Sequence, residues 1–276
     1  MSVAHQAALG AVESAAQALA TELTAALRPG PAAAFRLRDC VSDRDQQART
    51  LGAIRGAGPD ALAPFLLAGH PFDALDADLV RAAVAAFPAP APQARDAALW
   101  AARDAALVRV LARLGVDATR WDGLAAQGPA ARTSGGAART PGGAQAALPE
   151  PPDVPHEGTG NAKGAWVRWS AGLVRLAPLA LPPVEGPQRR QVLARRADLA
   201  RGMARALLRR DHLSAARLAR WIALDAGRAA PPEPLLAPAT DYIAALAPAQ
   251  PRALLELAIA HRLLAGEGGE RDGGTP

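Results

Sequence analysis

RDHLSAARLARWIALDAG, residues 210–227, decides the fold class. It reads as one capped helix in which Leu213, Leu218 and Ile222 line a side, closed by Gly227. The segment before it, 188–210, has the same character, with Val192, Leu199, Met203 and Leu207 gathered on one face. Three arginines and a tryptophan in the quoted stretch leave two uses open: a nucleic-acid-reading element, or one arm of a helical hairpin.

The rest of the chain has the composition of helices. Half of the 276 residues are hydrophobic, only 4% are aromatic, and alanine supplies much of the apolar total. Alanine loses no side-chain entropy in a helix, yet it buries little area. A core built on it depends on close helix approach and scattered Leu, Val and Trp, so the expected class is all-α. The formal charge is +5, and Lys163 is the only lysine among 31 basic residues. Ala, Arg, Gly and Pro share GC-rich codons, so arginine number alone argues for no partner.

Pattern and punctuation divide the chain into an N-terminal helical block (1–127), a Gly/Pro-rich flexible linker (128–163), a basic C-terminal helical block (164–266) and a disordered tail (267–276). In the opening helix Leu9, Val12, Ala16, Leu19, Leu23 and Ala26 keep to one seam, which also suits a homodimer through residues 2–27. Arg28-Pro-Gly-Pro31 ends it. Ser42 and Asp45 mark the next helix start, and further helices are expected at about 59–68, 76–87 and 95–114. In the second block, Trp166–Trp169 and Leu173–Leu176 flank Ser-Ala-Gly and fit a short β-hairpin. A long helix should run from Pro187 to about Arg210, and a last one from about 249 to 265.

Most enzymatic chemistry finds no constellation. His5, His70, His156, His212 and His261 are dispersed, Cys40 has no cysteine partner, and no GxSxG elbow occurs. GTGNAKG, Gly158–Gly164, has Gly164 where a phosphate loop needs a hydroxyl and Lys163 where a dinucleotide loop needs its third glycine. No catalytic, cofactor-binding or metal-binding residue is expected. A single cysteine fits a reducing compartment, the N-terminus lacks a signal-peptide pattern, and no charge-free run is long enough to span a membrane, so a cytoplasmic protein is expected.

Charge is uneven along the chain. Residues 1–127 hold twelve arginines against thirteen acids, whereas Lys163–Arg228 holds fourteen basic residues against four acids. Projected at 100° per residue, Arg190, Arg195, Arg201, Arg205 and Arg209 form a stripe opposite the apolar face of 188–210. Such a stripe can contact phosphates, which positions a nucleic acid without reading its sequence.

Within 200–227, Met203, Ala204 and Leu207 are followed by Ala216 and Ala223. This spacing resembles a tetratricopeptide repeat, in which small residues let two antiparallel helices approach closely. Arg210-Asp211-His212 would form the turn. The pattern departs from the family at Ala200, where Trp is usual, at Arg220, where a large apolar residue is usual, and in having no closing Pro. The resemblance implies protein or peptide binding. The expected function is therefore a non-enzymatic α-helical interaction or scaffold protein. The alternative is a nucleic-acid-associated protein using the five stripe arginines, with Trp166 and Trp169 stacking on single-stranded bases.

Overall fold

The computed structural model describes residues 3–30, 34–41, 44–125, 162–226 and 236–269, and among them every regular element is a helix. In chain order these are α1 (Val3–Leu27), α2 (Arg44–Ala57), α3 (Ala63–Leu67), α4 (Ala74–Ala86), α5 (Ala97–Arg113), α6 (Ala162–Arg175), α7 (Pro187–Ala194), α8 (Arg196–Leu208), α9 (His212–Leu224), α10 (Leu236–Leu246) and α11 (Pro251–Gly269). Short 3-10 turns occupy Leu37–Cys40, Gly58–Leu62 and Ala177–Leu179. The linker reading of 128–163 lies outside the described residues except where 162–163 open α6, and the tail reading except where 267–269 close α11. The Ser42 cap and the side chains of Leu9 and Asp45 lie outside them too.

The β-hairpin expected at 166–176 is a helix. Trp169, Leu173 and Leu176 are all buried, and their four- and three-residue steps are helical spacing, with no two-residue alternation. Trp169 reaches 1% exposure only because a helix turns it inward together with Leu173. A strand would have put Leu173 and Leu176, three residues apart, on opposite faces.

The long helix expected from Pro187 to Arg210 is also two. At Arg195 the backbone leaves helical geometry (φ −125°, ψ 35°), which separates α7 from α8. Arg195 then places its guanidinium 4.4 Å from the Trp169 ring centroid and donates through Nε to Asp198 Oδ2 at 2.9 Å. Side-chain contacts to α6 and to the first turn of α8 thus accompany the break.

α8 and α9 form the hairpin that 200–227 suggested, joined at Arg209–Asp211. Asp211 N–H donates to the Ala206 carbonyl (2.9 Å) and Arg210 N–H to that of Leu207 (2.9 Å), which closes α8 with a Schellman motif. The Asp211 carboxylate then accepts from Ser214 N–H at 3.1 Å and caps α9. Ala204, the small residue expected at the helix interface, is exposed. Close approach falls to Gly202 and Ala206 instead, on the face turned toward Ser170, Ala215 and Leu218. The tetratricopeptide-like register is not the one the helices adopt.

Arg210 carries the left-handed conformation of that motif (φ 59°), where a glycine would be unstrained. Its side chain is exposed, so replacement removes no packing. Arg210→Gly is expected to raise unfolding free energy by about 0.5–1 kcal/mol, the left-handed cost less the entropy glycine adds to the unfolded chain. A higher urea midpoint at unchanged m-value checks it.

The stretches on either side of 128–163 share one hydrophobic cluster. It includes Leu23, Leu27, Leu62 and Leu111 from the first, and Trp169, Leu179, Trp221 and Ile259 from the second. Trp169 and Trp221 each bury enough area to contribute on the order of 4–6 kcal/mol in the upper limit. Trp221 Nε1 also donates to the Leu173 carbonyl (3.0 Å), joining α9 to α6. α1 packs against α2, α3 and α11, so Leu19, Leu23 and Ala26 of its seam are spent within the chain. Val12, 42% exposed, is the seam residue left facing solvent among those whose side chains are described.

Candidate functional site

The stripe of five arginines is divided between two helices by the break at Arg195. The break at Arg195 puts Arg190 on α7 and Arg201, Arg205 and Arg209 on α8 or its end. Asp198 pairs with Arg195 (2.8 Å) and with Arg201, neutralising part of what charge is left. Arg190, Arg205 and Arg209 remain exposed. Trp169 is buried, and its Nε1 donates to Gln191 Oε1 at 3.3 Å, so its ring has no face for a base. Trp166 is half-buried with the Arg201 guanidinium 5.8 Å from its centroid. Of the sequence-predicted residues, Arg201, Arg205 and Arg209 keep one face along α8 with Trp166 beside Arg201, whereas Trp169 is buried and Arg190 lies across the break.

The histidines and the cysteine are used locally. His70 Nδ1 accepts from Phe35 N–H (3.1 Å), which leaves Nε2–H to donate to the Ala26 carbonyl at 2.9 Å. His261 Nε2 lies 2.8 Å from Thr240 Oγ1. Burial, reinforced by Glu22, Asp39 and Asp76, pushes the Cys40 thiol up to about 12, so it carries no thiolate at neutral pH. Among the described residues no group of three or more His, Cys, Asp or Glu is placed to hold a metal ion.

Two concave features stand out instead. The first is a groove of about 360 Å³ between the end of α1, α10 and α11. Leu27, Pro29, Ala244, Leu254, Leu257 and Ala258 make it apolar, while Arg28, His261 and Arg262 supply its polar edge and no acid lines it. Arg262 fixes one wall: it donates through Nε to the Leu27 carbonyl (2.6 Å) and through Nη2 to that of Arg28 (3.0 Å). These are carbonyls that a helix end leaves unpaired, at the negative pole of its dipole.

The second feature is a buried ionic network where the two halves of the chain meet. Arg220, wholly buried, donates from Nη2 to Asp60 Oδ1 (2.6 Å), from Nη1 to Glu256 Oε2 (2.8 Å) and from Nε to the Ala180 carbonyl (3.1 Å). Arg217 donates from Nε to the other oxygen of Glu256 at 3.0 Å. Burial pushes the Asp60 carboxyl above its ordinary range, Arg220 opposes that, and Glu256 adds to it. Close by, Arg55 makes a two-pronged pair with Asp104, both buried, and its Nε holds the Phe87 carbonyl at 2.9 Å.

Sequence reasoning passed over this network, although each member left a trace. Asp60 interrupts GPDALAPFLL, Glu256 interrupts ALLELAIA, and Arg220 lies between Ala219 and Trp221 where a repeat would place a large apolar residue. A lone charge on an apolar face calls for a buried partner. The sequence offers nothing that says which. Compared with known proteins, the chain matches no family model, no curated protein and no solved structure.

Proposed function

We propose that this is a non-enzymatic α-helical interaction protein that holds a short segment of a protein partner in the α1–α10–α11 groove. One observation carries the reading: an open apolar groove edged by Arg28, His261 and Arg262, with no acid in its lining. Apolar floors supply affinity and a few polar groups fix orientation. The matching segment inserts an apolar side chain and flanks it with a carboxylate. Because Arg262 is anchored to the end of α1, the groove wall needs no ordering when the segment arrives.

Selection of displayed random peptides on the full chain tests this. Apolar residues flanked by Asp or Glu are expected to be enriched, and Ala258→Glu or Arg28→Glu should weaken the selected peptides at least tenfold. Ala85→Glu, at an exposed site on α4, should leave them unaffected. Absence of any enriched pattern, or binding indifferent to Ala258→Glu, overturns the reading. The nucleic-acid alternative keeps the support of the exposed arginines Arg190, Arg205 and Arg209. It draws none from Trp169.

A further inference from the structure

Above the ionic network lies a second cleft, of about 230 Å³, between α1, α2 and α11. One side is apolar and low: Val12, Ala16 and Leu19 of α1 face Gly52, Ala53 and Gly56 of α2. A Cβ on Gly56 would meet nothing within 4 Å, so this glycine leaves open space. The other side is polar, formed by Arg103, Arg175, Arg217, Arg252, Glu13, Asp60 and Glu256.

The carboxylates on that side are already committed. Both Glu256 oxygens accept from arginines, Asp60 accepts from Arg220, Glu13 pairs with Arg252 (3.5 Å), and Arg175 is taken by Asp96 (2.6 Å). The guanidinium donors are in surplus. Arg55, Arg103, Arg217 and Arg220 face Asp60, Asp104 and Glu256, four positive groups against three negative, a surplus of one. Arg103 is where the surplus falls. Its Nη2 donates to the Gly56 carbonyl, but its Nε is buried without a hydrogen-bond partner. Burial holds its guanidinium below the ordinary arginine value, and Arg55 and Arg217 push the same way against Asp60 and Asp104. A buried donor without an acceptor costs about 1–3 kcal/mol, more when charged. Arg103 also lines the cleft, where an oxyanion would give its guanidinium a charge-assisted partner.

We infer that this cleft binds a small amphipathic oxyanion, its carboxylate or phosphate head between Arg103 and Arg217 and its short aliphatic part along the α1–α2 strip. Liquid water takes about 30 Å³ per molecule, so the cleft has room for about eight non-hydrogen atoms. That matches hexanoate, which has eight; hexyl phosphate, with eleven, would leave the end of its chain outside the cleft. The inference is independent of the groove on the other side of α11, which would bind its segment whether or not this cleft is filled.

Calorimetric titration of the full chain at low ionic strength tests it with four probes: hexanoate, hexyl phosphate, inorganic phosphate and hexylamine. Saturable one-to-one binding is expected for hexanoate, hexyl phosphate or both, and whichever binds identifies the head group. Inorganic phosphate should bind at least tenfold more weakly than hexyl phosphate, and hexylamine not at all. Gly56→Leu fills the open space on a helix surface and should abolish binding without lowering Tm, since leucine favours the helix more than glycine does. Arg252→Gln, at the exposed edge, should weaken binding severalfold at unchanged Tm. No saturable binding of either six-carbon anion overturns the inference, as does equal binding of hexylamine or undiminished binding by Gly56→Leu.

Discussion

Arg220→Met is expected to lower the free energy of unfolding by about 3–5 kcal/mol, the effect of removing one member of a buried ion pair. Methionine nearly fills the space, so the loss is electrostatic. Asp60 and Glu256, each under a tenth exposed, would face each other without the guanidinium that bridges them. Arg217 reaches only Glu256, so Asp60 would lose its hydrogen-bonded arginine and keep only the nearby charge of Arg103. A change of this size is a large share of the 5–15 kcal/mol that keeps a domain folded. Urea unfolding at pH 7 checks it. The triple variant Arg220→Met, Asp60→Leu, Glu256→Met is expected to recover most of the loss, because apolar residues of similar volume can replace a buried ionic cluster at little cost. If the single and triple variants are equally unstable, the guanidinium matters for packing and its charge does not.

The second large effect is expected at Gly202. A Cβ there would lie 2.7 Å from Ser170 Cβ, 2.9 Å from Ser170 Oγ and 3.4 Å from Leu218 Cδ1. The nearest atom is anchored to the α6 backbone, so relief requires α6 to move away from α8. Glycine to alanine inside a helix ordinarily gains about 1 kcal/mol. Here the clash wins, and Gly202→Leu is expected to cost about 1–3 kcal/mol or more through overpacking. Ser170→Gly removes the two atoms in the way and should return part of the loss suffered by Gly202→Ala. Thermal unfolding of the two single variants and the double measures that coupling directly.

Arg220 and Gly202 also mark how far the sequence can be read. The all-α class was legible because helix formation is local: alanine content, three- and four-residue apolar steps and Pro/Gly stops lie within a few residues of each other. The turn, expected at 210–212, was legible to within a residue for the same reason and falls at 209–211, with Asp211 capping α9. At 166–176 the reading failed because short apolar runs suit a strand as well as a helix until burial on one face decides between them. At Arg195 it failed because a helix can break over a single residue when side chains outside it, here Trp169, offer contacts. Ala204 and Gly202 differ by two positions, yet only the packing of α6 against α8 says which of them needs to be small.

The candidate sites were less legible than the fold. The five arginines read as a stripe on one helix, but their use depends on Asp198 and on the break between α7 and α8. The groove and the cleft are each assembled from helices far apart in the chain. Asp60 and Arg220 are separated by 160 residues, and Leu27 receives its bond from a residue 235 positions away. The sequence by itself determined that this chain forms helices, roughly where they start and stop, and that solitary charges interrupt its apolar faces. Only the tertiary structure decided which charges meet, which faces stay open and which glycine is indispensable. Helical order is set by hydrogen bonds four residues apart, whereas ion pairs, grooves and close approaches arise between segments whose proximity no local pattern encodes.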